Sequence, residues 1–116
     1  MKIPNQIQTP EKSVKKMNYM YNEKLCTSIY VDYENKKVNI ENHTDSLLFT
    51  AFGINEHPTF KDYEDFLERR CVPRTRGNIG DVLKEIGVSS YDPLSIVEKT
   101  QGKMAEDHFW IDIVED

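Results

Sequence analysis

Residues 26–41 read CTSIYVDYENKKVNIE, and this stretch decides the fold. Ile29, Val31 and Tyr33 alternate with Ser28, Tyr30 and Asp32, the period of a half-buried strand. Glu34-Asn35-Lys36-Lys37 follows, and Asn35 can take the left-handed conformation of a turn. Val38 and Ile40 then alternate with Asn39 and Glu41. The stretch is a β-hairpin with a loop of about two to four residues. A hairpin alone is marginal in water, so a further strand is required. The chain supplies it at residues 108–114, where Phe109, Ile111 and Ile113 alternate with His108, Trp110 and Asp112.

Between hairpin and last strand the period changes to that of helices. Thr44 or Asp45 can cap a short helix through Leu47, Leu48, Ala51 and Phe52 that Gly53 stops. Thr59 follows Pro58 and stands three residues before Asp62, a capping-box spacing. Phe60, Tyr63, Phe66 and Leu67 then form one helix face, with Asp65 and Arg69 spaced for an ion pair on the other. Pro73 ends that element. Ile79, Val82, Leu83 and Ile86 mark a helix from about residue 77 that Gly87 stops. Asp92-Pro93 opens a last helix, with Leu94, Ile96 and Val97 apolar and Gly102 beyond its end. The expected fold is α+β: a three-stranded antiparallel sheet, with three to four helices inserted between its second and third strands.

The chain has 116 residues, enough for one domain with its own core. No apolar run approaches the ~20 residues of a membrane span. The N-terminus has no continuous apolar segment of the secretory kind. Cys26 and Cys71 stand 45 positions apart, which fits two free thiols in a cytoplasmic protein. Residues 1–24 carry five lysines against Glu11 and Glu23, net +3. With Pro4 and Pro10 they read as a flexible basic arm preceding a single α+β domain over 25–116. The overall charge of −5 leaves −8 on the remaining 92 residues. An acidic body disfavours non-specific binding to nucleic acid and suits a basic protein partner, or solubility alone.

Within that acidic body, Arg69, Arg70, Arg74 and Arg76 fall inside eight residues, between two helices. Guanidinium forks match carboxylates and phosphates, so the cluster can bind an anion or an acidic partner. The plainer alternative is that the arginines pair with the chain's own carboxylates. Glu64 and Glu68, with Asp62 and Asp65, form an acidic helix face that is either solvated or a docking surface. Tyr30 and Trp110 fall on the strand face opposite the expected core, as interface anchors or as cross-strand packing. Cys71, His43, His57 and His108 lie at least 14 positions apart, unlike a zinc site. No convergent catalytic set and no P-loop lysine is visible, so neither an enzyme nor a cofactor is expected. The helical pair 79–100 outlines a helix-turn-helix, but Ser95, Glu98 and Lys99 are a poor phosphate-facing set.

Four further stretches carry a resemblance: AFGINEHPT (51–59), FLERRCVPRTR (66–76), YDPL (91–94) and GKMAEDHFWI (102–111). Over residues 28–113 the chain resembles short uncharacterised proteins of Gram-positive bacterial mobile elements, associated with genes for HipA-type toxin kinases. The resemblance brings no assigned activity and no functional residues. It implies a small accessory protein that binds another protein. The expected function is a non-enzymatic inhibitor or regulator encoded by a bacterial mobile element or phage, antitoxin-like or anti-defence (including anti-CRISPR). It would occlude a basic site on its partner. The alternative is a nucleic-acid-contacting regulator using the Arg69–Arg76 cluster and the basic arm.

Overall fold

In the computed structural model, which describes residues 14–114, four strands form one antiparallel sheet and three helices lie between the third and fourth. The strands are β1 (Val14–Tyr21), β2 (Lys24–Asp32), β3 (Lys37–Asn42) and β4 (Phe109–Val114), in the order β3-β2-β1-β4. The helices are α1 (Phe60–Arg69), α2 (Ile79–Ile86) and α3 (Pro93–Thr100). The α+β class, one antiparallel sheet with helices, follows the hairpin reading. The strand count and the insertion point do not: the expected sheet had three strands with the helices after the second, whereas here there are four and the helices follow the third.

The additional strand comes from residues read as an arm. Val14–Tyr21 pairs with β2 on one side and β4 on the other, so it is interior to the sheet. Met17, Tyr19 and Tyr21 alternate, and Met17 and Tyr19 are buried at 0% and 8% exposure. The neighbouring lysines are accommodated. Lys15 reaches Glu98 on α3 at 3.8 Å, and Lys16 lies over the Tyr30 ring. β4 therefore joins the hairpin through β1 rather than directly. Residues 1–13 of the expected arm lie outside the described residues.

Local chemistry sets most boundaries. Asn22 takes positive φ in the two-residue turn between β1 and β2. In the β2–β3 loop it is Lys36, not Asn35, that has positive φ. Asn35 instead donates to Asp32, whose carboxylate also accepts the Glu34 and Asn35 N–H groups. Thr59 and Asp62 form the full capping box of α1. Gly87 ends α2 in the left-handed conformation, and Pro93 opens α3. The helix expected over 44–53 is a series of turns. Thr50 donates to the Leu47 and Gly53 carbonyls and Thr44 accepts from the Ser46 N–H, side-chain bonds that compete with helical ones.

One sheet face carries the core. Met17, Tyr19, Ile29, Val31 and Ile111 meet Tyr63, Phe66 and Leu67 of α1 and Ile96 and Val97 of α3. Tyr19 packs edge-on to Phe66 and stacks on Phe109. α2 buries none of its residues fully and adds only Leu83 and Ile86 to the periphery. The other sheet face carries Lys16, Asn18, Ser28, Tyr30, Trp110 and Asp112.

Arg70, expected among the partner-binding arginines, belongs to this framework. It is 8% exposed. Its Nε donates to Gly102 O at 2.9 Å, its two terminal nitrogens grip the Asp107 carboxylate at 3.0 Å each, and Nη2 also donates to Phe109 O at 2.9 Å. The sequence carried a signal for this. Arg70 follows Tyr63, Phe66 and Leu67 at seven, four and three residues, on the buried stripe of α1. Gly102 must remain small there. Its φ is +65°, and a Cβ would stand 3.1 Å from Ile111 Cδ1.

Met17→Ala should cost about 2–5 kcal/mol in urea unfolding, the range for a buried methionine; a loss below about 0.5 kcal/mol would be incompatible with an interior β1. Arg70→Met should cost about 2–4 kcal/mol, since it leaves two carbonyls unpaired while the part-exposed Asp107 is solvated. Arg70→Lys should recover little, because an ammonium cannot reproduce the two-pronged grip. The Arg70 bonds hold the Asp107 carboxyl below its ordinary pKa. The pair's contribution is therefore full above the unfolded carboxyl pKa of about 3.9 and is lost as pH falls through the lower folded value. The stability gap between the parent and Asp107→Asn should be flat from about pH 5 to 8 and close below about pH 4. A gap unchanged down to about pH 2 would refute the charge pair.

Candidate functional site

A concavity lined by three of the expected site residues, Glu64, Glu68 and Arg74, lies between α1 and the start of α3. It is a groove of about 600 Å³, within the range of about 300–1,000 Å³ typical of binding pockets. Its lining includes Tyr33, Tyr63, Leu67, Pro93 and Leu94, together with Lys61, Glu64, Asp65, Glu68, Arg74 and Asp92. The capped first turn of α1 fixes Lys61 through Glu68 at helical spacing, and Pro93 at the head of α3 fixes Asp92 and Leu94 opposite them.

The charges in the groove are partly self-cancelled. Lys61 pairs with Asp65 at 2.9 Å, in place of the expected Asp65–Arg69 pair. Arg74 pairs with Glu68 at 3.3 Å and stacks over Tyr91 at 4.3 Å. Glu64 and Asp92 have no cation within ion-pair distance among the described residues, and the Asp92 carboxylate accepts the Ser95 hydroxyl. Tyr33 and Tyr63 share a hydrogen bond between their hydroxyls. Burial raises the pKa of both, and the carboxylates of Asp92 and Glu64 push it further the same way. The groove thus presents a neutral aromatic part and uncompensated negative charge. A cationic, partly apolar group complements that combination.

The eight residues expected to bind a partner do not share one surface. Glu64, Glu68 and Arg74 meet in the groove. Arg70 is internal. Arg69 lines a separate shallow depression with Ala51–Gly53, Asn55, Asp62 and Asp65. Arg76 is exposed and bonds Asn78 Oδ1 at 3.0 Å. Tyr30 and Trp110 lie on the other sheet face, opposite Lys16 and Met20 of β1. Four residues of strand separate them, about 13 Å, too far to form one anchor. Trp110 is already bonded through Nε1 to Asn22 O and lies under Lys103. Within residues 79–100, Ile96 and Val97 of α3 are core, while Glu98 and Lys99 are exposed.

Sequence reading missed two features. Leu47, Leu48 and Ile54, in the turns after β3, are 53%, 87% and 81% exposed, an unusual display for large apolar side chains. Asp65 lines both the groove and the depression beside residues 51–55, so the groove abuts this loop along α1. The other feature is a serine–histidine contact on the open sheet face, Ser28 Oγ to His43 Nε2 at 3.0 Å. Ser28 is 2% exposed and its hydroxyl donates to Asn18 Oδ1, so it accepts from His43. That polarity is the reverse of a serine activated by a histidine base. Glu41 approaches the same Nε2 at 3.9 Å, so it does not orient the ring from Nδ1.

Cys71 is equally unsuited to nucleophilic work. Its thiol donates to Leu67 O, and burial, aided by Glu68 and Asp92, pushes its pKa up to about 12. Among the described residues no three His, Cys, Asp or Glu side chains converge as a metal site. Neither Cys71 nor Cys26 should react with a disulfide reagent at pH 8 faster than the protein opens globally, since both are buried. Rapid stoichiometric labelling of the native protein would overturn this.

No family model, curated protein or solved structure matches the chain, so the chemistry of the groove and its surroundings carries the functional reading.

Proposed function

We propose that the protein is a non-enzymatic protein-binding module, a small inhibitor or regulator carried by a mobile element and directed at a toxin or a defence system. It acts by occlusion. A lysine- or arginine-bearing segment of the partner's functional site enters the groove between α1 and α3 and is covered there. The observation that carries this reading is the pairing of an apolar lining (Tyr33, Tyr63, Leu67, Leu94) with the two uncompensated carboxylates of Glu64 and Asp92. The apolar stem of a long basic side chain would lie along the lining while its head meets the carboxylates. Leu47, Leu48 and Ile54 supply apolar anchors on the adjoining loop, and the net charge of −5 favours approach to a basic surface.

This reading gives the arginines a smaller part than the sequence suggested. Arg74 helps shape the groove, and Arg70 supports the fold. The experiment is co-purification of the tagged protein from its host, followed by binding of the recovered partner to Glu64→Lys. Glu64 is exposed, so the melting temperature should stay within a few degrees. Affinity should fall at least about tenfold, with a shallower salt dependence. Unchanged affinity would sink the groove as the docking site. Binding of random duplex DNA, lost in an Arg74→Glu/Arg76→Glu variant, would instead favour the nucleic-acid alternative.

A further inference from the structure

The two edges of the sheet are treated differently. The His43 N–H donates to Cys26 O, which sets the phase of the β2–β3 ladder. By alternation Ser28–Glu41, Tyr30–Asn39 and Asp32–Lys37 are the hydrogen-bonded pairs. Val38, Ile40 and Asn42 therefore point their N–H and C=O groups outward. No described residue bonds to those groups of Val38 and Ile40. At the opposite edge the first half of β4 is met from within the chain: Phe109 N–H donates to Asp107 Oδ1, Phe109 O accepts from Arg70, and Ile111 N–H donates to Gln101 O. An open edge of alternating apolar residues is a template for strand pairing.

The composition of β3 selects its occupant. We propose that β3 pairs antiparallel with β3 of a second copy of this chain, about a two-fold axis through Asn39, giving a continuous eight-stranded sheet. In that register Val38 and the second copy's Ile40 exchange both backbone bonds, twice over by symmetry, so four bonds form. Lys37 faces Glu41 of the second copy, Glu41 faces its Lys37, and the two Asn39 amides meet on the axis. These three are the non-hydrogen-bonded positions, where facing side chains approach most closely. Sliding the register by two residues sets Lys37 against Asn39 or His43 and loses both ion pairs. Within one chain Lys37 has no ion pair among the described residues, and the Asp32 carboxylate across the ladder is already bonded by Glu34 and Asn35. Val38 and Ile40 meet their counterparts on the core face, so the two sheets join apolar to apolar. The interface is isologous, as a two-fold dimer requires.

The test uses the full chain in sedimentation equilibrium, with Lys37→Glu and Glu41→Lys made separately. The parent should show a concentration-dependent monomer–dimer equilibrium. Each variant replaces two attractive pairs with two repulsive ones and should weaken dimerisation at least about tenfold. Both positions are exposed, and thermal melts confirm that each variant is folded. An equimolar mixture of the two variants restores opposite charges at both positions and should dimerise like the parent. Both variants remain net acidic, starting from −5, so bulk attraction does not account for such a rescue. A parent monomeric throughout, single variants that dimerise normally, or a mixture that stays monomeric would each overturn the proposal.

Discussion

A guanidinium at the end of α1 holds four oxygen atoms: Gly102 O, both carboxylate oxygens of Asp107 and Phe109 O. Arg70 is the point where the helical layer, the return segment 101–108 and the last strand meet. A charge this deeply placed needs compensation from all sides, and each compensating oxygen fixes one piece of chain. Gly102 is set close under Ile111, Asp107 is turned inward, and β4 begins at Phe109 in register with Tyr21. With β4 so fixed, Phe109 and Ile111 cover Tyr19 and Met17 becomes interior. Without it β1 would be an edge strand, and the aromatic group Tyr19, Tyr21, Phe49 and Phe109 would lose its shared centre.

The same residue explains the asymmetry of the sheet. Arg70, the Asp107 carboxylate and the Gln101 carbonyl occupy outward groups of Phe109 and Ile111, so the first half of the β4 edge is wired internally. β3 has no equivalent. Its protection is confined to charged residues, Lys36 and Lys37 at one end and Glu41 near the other. Charges of one sign would repel any second copy. Charges of opposite sign, placed symmetrically about Asn39, instead complement themselves when the strand is reversed.

Elements whose signals are local were legible in the sequence. The hairpin, the Thr59–Asp62 box, the left-handed Gly87 and Asp92-Pro93 each depend on residues within a turn or two of one another. β1 was not legible for a different reason. Its period of two, Met17, Tyr19 and Tyr21, is present, but Lys15, Lys16 and Asn18 made the stretch resemble a solvated arm. Their accommodation by Glu98 and Tyr30 is tertiary. The short helix after β3 failed in the opposite way. Its apolar spacing was adequate, but the Thr50 hydroxyl holds the Leu47 and Gly53 carbonyls in turns. The arginine cluster failed because composition does not say which members face inward. Arg70 stands on the apolar stripe of α1 and Arg74 lies beyond the helix, so adjacent arginines have unrelated roles.

That division of roles decides the sign of the field near the groove. Four arginines in eight residues suggest a positive patch. Arg70 is neutralised by Asp107 and Arg74 by Glu68, so two of the four project little charge outward. Lys61 is likewise matched by Asp65. The residual charge is the pair Glu64 and Asp92, beside tyrosines whose ionisation burial opposes. Titration of those tyrosines adds no charge near neutral pH, so the groove stays anionic through two carboxylates alone. Under the proposed reading, that residual negative field is what would select a partner's basic side chain over an acidic one.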